Sequence, residues 1–254
     1  MNRENICRVS VAMAAYNGEK YITHQMESIL SQLGENDELI ISVDPSFDGT
    51  KQIALDFMAG DSRVRVLDGP GEGVIRNFEN ALTHALGAII FLSDQDDVWY
   101  PDKLRTCLVA LRERHASAAV HDARLVDENL NELQGSIFNG GFYSGIWRNV
   151  LRNRFVGCCM AFKREILDAA LPFPSSIPMH DQWLGMVSAR LGRVVYIDQP
   201  LLFYRRHQNT VTGREKAKPL TRLHWRLGII KALLQLKTCK KTATLEGENR
   251  AGLD

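Results

Sequence analysis

Long apolar runs are missing from this 254-residue sequence. The nearest approach, Leu227 to Leu236, is broken by Lys231 and Gln235, and it falls well short of the ~20 apolar residues a membrane-spanning helix needs. The opening MNRENICRVSVAM lacks the apolar segment of a secretory leader, so the chain is expected in the cytoplasm. Charge of one sign is scarce too. The net charge is +1, whereas domains built around nucleic acid are usually strongly basic. The five cysteines (Cys7, Cys107, Cys158, Cys159, Cys239) include an adjacent pair and no CxxC, which predicts reduced thiols rather than a disulfide framework. Internal repeats and low-complexity segments are absent as well.

What remains is ordinary globular material, 45% hydrophobic and 24% charged, enough for one large core and a tail. The charge is unevenly laid out. Residues 1–213 carry 21 Lys and Arg against 26 Asp and Glu, whereas residues 214–254 carry 10 against 4. This divides the chain into a mildly acidic body, 1–213, and a basic tail, 214–254.

Through the first half, short β-rich runs alternate with amphipathic stretches. Strands are expected over Val9–Met13, Leu39–Val43, Val64–Leu67 and Ala88–Leu92, and helices over Glu19–Leu33, Thr50–Met58 and Val74–Leu86. The alternation predicts βαβ units, hence an α/β chain with a mostly parallel central sheet flanked by helices. Right-handed crossovers put the C-terminal ends of the strands on one edge, where ligands bind in such sheets. Residues 134–150 interleave Gly135, Gly140, Gly141 and Gly145 with Phe138, Phe142, Tyr143 and Trp147 and read as a mobile loop or lid. Further strands are expected at Gly157–Phe162 and Val194–Ile197, with a helix from Asp181 to Leu191.

The strongest local signal is Asp94-Gln95-Asp96-Asp97 after Ile89-Ile90-Phe91-Leu92. Carboxylates packed this closely repel one another unless a cation or several N–H donors neutralise them. Oxygen donors suit Mg2+ or Mn2+ bridging to a diphosphate; a solvated turn capping the helix after Pro101 is the plainer reading. Asp44 at the second strand's end is placed to accept a hydrogen bond from a ligand, whereas Asp48 before Gly49 is turn chemistry. Tyr16 and Asn17 after the first strand either bind a flat base or simply turn the chain. Arg76 opens the helix after the Gly69–Gly73 loop, where N–H groups and a guanidinium hold phosphate oxygens, or it is a surface residue. Asp181, after His180, is either a helix cap or a general base. His207 is either a metal ligand or phosphate contact, or a structural histidine.

Taken in order, VSVAMAAYNGEKYI, ISVDPSFDGT, GVIRNFENAL, FLSDQDDVWYPDKL, HDQWL and YRRHQNT resemble the motifs of glycosyltransferase family 2, inverting enzymes with the GT-A (nucleotide-diphospho-sugar transferase) fold. The resemblance runs from about Val9 to Thr212 and looks closest to the rhamnosyltransferase-like branch of bacterial surface-polysaccharide biosynthesis. It implies that Tyr16, Asn17 and Asp44 meet the donor's nucleoside and Arg76 its phosphates. Asp94 and Asp96 become the ends of a DxD motif, with Asp96 the direct metal ligand and His207 a second ligand. Asp181 becomes the catalytic base. Val43 stands where the family usually has a further Asp, and Pro45 and Phe47 replace small turn residues.

The implied activity is metal-dependent transfer, with Mg2+ or Mn2+, from a UDP- or dTDP-linked sugar to a saccharide acceptor. A lipid-linked acceptor in O-antigen, capsule or exopolysaccharide assembly is expected. Two rivals remain: a sugar-nucleotide-binding protein without catalysis, and a phosphatase reading Asp94–Val98 as DxDxV, whose motif belongs on the first strand rather than after three strand–helix units. In the tail, Leu220, Leu223, Leu227, Ile230 and Leu234 form a helical stripe flanked by Arg222, Arg226, Lys237, Lys240 and Lys241. Residues 219–241 are expected either to lie on an anionic inner membrane surface or to dock on the body.

Overall fold

The run VSVAMAA makes strand β1 (Val9–Ala15), buried almost throughout, because a strand covered on both faces needs apolar side chains at every position. In the computed structural model, which describes residues 9–139, 141–207 and 218–236, β1 pairs in parallel with β2 (Glu38–Val43) and β4 (Ile89–Asp94), and β3 (Val64–Asp68) extends the sheet beyond β2. Helices α1 (Ile22–Leu30), α2 (Thr50–Gly60) and α3 (Val74–Thr83) are the crossovers. All four strand ends therefore share one edge, as expected from the alternation.

The second half adds β5 (Val98–Trp99), α4 (Lys103–Glu113), β6 (Ala118–Val126), β7 (Glu132–Ser136) and α5 (Ile146–Leu151). A 3-10 turn (Gly157–Cys159), β8 (Met160–Lys163), α6 (Arg164–Ala170), α7 (His180–Leu191) and β9 (Val194–Arg205) follow. The strand order is β3-β2-β1-β4-β8-β6-β9-β5, with β7 on β6. β8 runs antiparallel to both β4 and β6, while β6 and β9 are parallel. The antiparallel pairing of Val98 with Phe203 and Trp99 with Leu202 carries the end of β9 to the acidic turn after β4.

Several elements differ from expectation. Residues 134–139 and 141–150 hold the end of β7 and most of α5, and Phe138 is buried in one ring cluster with Phe142, Phe155 and Tyr196. β9 continues well past Ile197, through Pro200, because the β6–β9 register shifts around Asp122 and absorbs the proline. The expected strand at Gly157–Phe162 begins as the 3-10 turn and becomes β8 only at Met160.

Helix α8 (Pro219–Gln235) docks on the body, but not through the leucine stripe. Ile229 and Ala232 are its buried residues; Gly228 fits where an added Cβ would lie 2.7 Å from Ser176 O, and Arg226 donates to Leu151 O at 3.0 Å. Leu220, Leu223, Leu227 and Leu234 stay exposed. Gln208–Thr212, Lys237, Lys240, Lys241, Glu246–Asp254, Gly140, Cys7 and Cys239 lie outside the described residues. Among the described residues, no helix is long and apolar enough to cross a membrane.

Candidate active site at the strand ends

β1, β2 and β4 end side by side, and their polar residues knit the edge into one surface. Asp44 N donates to Ala15 O at 2.9 Å, and Asp44 Oδ1 accepts from Gly71 N at 2.9 Å, so this buried carboxylate braces the glycine loop before α3. Gly69 is obligatory there, since a Cβ would come within 2.5 Å of Asp44 Oδ1. Asn17, at φ +47, accepts from Phe47 N at 2.9 Å and so ties the β1 and β2 loops together. Tyr16 stays half exposed on this edge, leaving its ring open to a flat partner. Its main chain exchanges two 2.8 Å bonds with the Gln95 amide, which locks the acidic turn to the end of β1. Arg76 pairs with Glu79 and reaches Phe173 O at 3.3 Å, both through Nη1.

Asp96 and His207 meet. His207 Nε2 lies 2.7 Å from Asp96 Oδ2, although the two are 111 residues apart, because β5 and β9 pair. Arg205, which the sequence reading passed over, fixes the same turn from β9: its Nε donates to Asp96 O at 2.7 Å and its N–H to Asp97 Oδ1 at 3.2 Å. A carboxylate and an imidazole nitrogen can together hold a divalent cation, and here they are hydrogen-bonded to each other and would part slightly to do so.

The cluster carries more negative charge than it neutralises. Burial first, then the charges of Asp96 and Asp181, push the Asp94 carboxyl up to about 7. Burial, then Asp96 and Asp94, raise Asp97 well above the usual carboxylate range. Beneath lies Lys103, also missed from sequence. It is fully buried, with Nζ 2.6 Å from Cys158 O and 4.0 Å from the centre of the Trp99 ring. Burial lowers its pKa, against the pull of Asp97 and the neighbouring thiols.

Asp181 stands in the first turn of α7, whose cap is Met179, so the cap reading gives way. Its Oδ1 accepts from Gln182 N at 2.5 Å and from Asn153 Nδ2 at 3.2 Å. Burial nonetheless lifts its pKa to about 7, and its charge is felt at Asp94. Gly157 lets α7 approach β4: a Cβ there would sit 3.2 Å from His180 Nε2 and 3.5 Å from both Asp181 Cβ and Leu92 Cδ1. Burial drives the neighbouring His180 to a pKa of about 3, and its ring stacks on Phe78 at 4.1 Å.

Comparison with known proteins shows the family and the fold. The model of the family described as "Glycosyl transferase family 2" matches residues 10–171. The dTDP-rhamnosyl transferase RfbG of Shigella flexneri is 27% identical over 91% of this chain and 83% of its own. Among solved structures, S. aureus TarS 1-349 in complex with UDP-GlcNAc superposes with a TM-score of 0.72 at 20% identity, covering 90% of this chain and 67% of that one. The mannosyltransferase PcManGT of Pyrobaculum calidifontis in complex with GDP-Man and Mn2+ gives 0.59 at 18% identity, over 87% of this chain and 68% of its own.

Proposed function

The chain belongs to glycosyl transferase family 2, and from that premise we propose that it moves a sugar from a UDP- or dTDP-linked donor to a saccharide acceptor, with inversion, in assembly of a bacterial surface polysaccharide. The observation that carries this reading is the placing of Asp181. Its carboxylate is tuned to about 7, it is electrostatically coupled to the acidic turn, and that turn holds the Asp96–His207 pair. A DxDxV phosphatase would carry its motif on the first strand, whereas Asp94 ends β4, and a mere binding protein has no use for a base.

Each group has one task. Tyr16 offers a face to the nucleoside base, and Asp44 keeps the glycine loop closed beneath it. Asp96 and His207 would hold Mg2+ or Mn2+, which supplies charge neutralisation to the departing diphosphate. Asp181 takes the proton from the acceptor hydroxyl onto its carboxylate as that oxygen attacks the anomeric carbon. Gln182, Asn153 and the Gly157 backbone hold that carboxylate in place. A single displacement of this kind inverts the anomeric centre. Proton NMR of the first-formed product is expected to show the configuration opposite to the donor's; retention would contradict the mechanism.

Residues 1–213 serve in this reading as the catalytic body and 214–254 as a tail that brings it to the cytoplasmic face of the membrane, where a lipid-linked acceptor lies. Leu220, Leu223 and Leu227 stay exposed on α8 beside Arg222 and Arg226, the pairing of apolar and basic groups that an anionic bilayer attracts. Replacing Leu223 and Leu227 by Gln is expected to weaken binding to anionic vesicles by at least about tenfold. Unchanged sedimentation with anionic vesicles would remove the membrane role.

A further inference from the structure

A second set of metal-binding side chains lies inward of Asp96 and His207. One carboxylate oxygen each from Asp94 and Asp97, and the sulfur of Cys158, all lie within 4.8 Å of one another. Asp97 and Cys158 are buried and Asp94 is part exposed, so Asp94 is the group's link to the cleft. The three donors come from the end of β4, the turn after it, and the Gly157–Cys159 turn. Lys103 pins this last turn through Cys158 O.

Proximity alone would be an accident of an acidic turn, but Asp97 adds an independent sign. It is 1% exposed, and its Oδ2 is buried with no hydrogen-bond partner, although Oδ1 accepts from Arg205 N. A buried carboxylate oxygen left without a partner is costly, and native folds rarely keep one without reason. The formal charges also close: two carboxylates and a thiolate are offset by one dication and the buried Lys103 ammonium. The donor type narrows the ion, because Mg2+ avoids sulfur whereas a thiolate with carboxylate oxygens suits Zn2+ and its heavier relative Cd2+. Tetrahedral zinc holds its ligands ~3.5 Å apart, so closing the site takes a movement of about 1 Å by the side chains.

We propose that Asp94, Asp97 and Cys158 form an inner site for a divalent cation of the zinc class, distinct from the outer pair. The bound ion ties the acidic turn to the Gly157–Cys159 turn, and the Cys158 thiol gives its proton to solvent as the sulfur–metal bond forms. The site stands on these side chains alone; only its position beneath a sugar-nucleotide rests on the proposed function.

The test uses the full chain, treated with chelator, in a Cys7→Ser, Cys239→Ser background, titrated with Cd2+ alone. The thiolate-to-cadmium absorption is expected to saturate at one equivalent. It should vanish in Cys158→Ser, persist in Cys159→Ser and His207→Ala, and need at least about tenfold more Cd2+ in Asp97→Asn. The cadmium-113 resonance of the chain with Cys158 intact, which requires no ligand substitution, should report one sulfur among oxygens. No band, a band surviving in Cys158→Ser, a band equally lost in Cys159→Ser, or an all-oxygen resonance would each overturn the inner site. Sugar transfer is measured on the same samples with Mg2+, so its failure beside an intact cadmium band would count against the proposed function and leave the inner site standing.

Discussion

Asp181→Asn is expected to lower sugar transfer by about 10²–10⁴-fold, the usual contribution of a general base, while donor binding changes little. The substitution keeps shape and hydrogen bonding and removes only the group that accepts the proton. The wild-type pH profile should carry the same signature. A base works deprotonated, and burial holds Asp181 at about 7, so turnover falls as pH drops below that value and levels above it. Asn153 donates to the ionised carboxylate at 3.2 Å. Asn153→Ala therefore moves the midpoint upward, a displacement that a merely structural residue would not cause. Stability should respond in the opposite sense to activity. Because the folded-state pKa is raised, the folded chain holds a proton between about pH 4 and 7 that the unfolded chain has lost, and stability declines across that window. Asp181→Asn removes the penalty. Its Tm should match the wild type near pH 4 and exceed it at pH 8, whereas a lower Tm at pH 8 would contradict the burial argument.

Asp96→Asn should be the second severe lesion, with metal-dependent donor binding weakened by at least about 10²-fold and transfer by about 10³-fold. Asp96 is the carboxylate that His207 meets, and its main chain is already fixed by Arg205, so the amide should keep the turn's shape. His207→Ala should cost less, about 10–100-fold, because the carboxylate charge stays. Folding should survive in Asp96→Asn, since the Asp96 charge is among the groups that raise both Asp94 and Asp97 and its removal relieves them. Circular dichroism and a thermal melt check that the loss is local.

The parallel half of the sheet was legible because β1, β2 and β4 are near-continuous apolar runs followed by Asn17, Asp44 and the acidic turn, where strand ends and polar loops announce each other. The second half hides its strands behind polar letters. β6 carries His121 and Asp122 inside the core, and burial leaves His121 uncharged at neutral pH, so its run gives no clear strand signal. Asp198-Gln199-Pro200 masked the continuation of β9, which only a register shift makes possible. The site was read from residues whose position along the chain betrays them, Asp94, Asp96 and Asp181. Lys103, Asn153 and Arg205 escaped because each acts through a long-range contact, 55, 28 and 109 residues away respectively, and a lone Lys, Asn or Arg in sequence has no distinguishing neighbours. In α8, helical spacing predicts an apolar stripe, yet Gly228 lets the backbone approach Ser176 and Ile229 and Ala232 turn inward instead.

The central claim is that Asp96 and His207 assemble a metal-dependent site for a sugar nucleotide, with Asp181 beside it. Its most direct test is binding and slow hydrolysis of a panel of UDP-, dTDP- and GDP-sugars by the purified chain with Mn2+ or Mg2+, with chelator and Asp96→Ala as controls. Saturable binding of one UDP- or dTDP-sugar, lost with chelator and in Asp96→Ala, is the expected result. Hydrolysis of a simple phosphate ester with no response to any sugar nucleotide would contradict it.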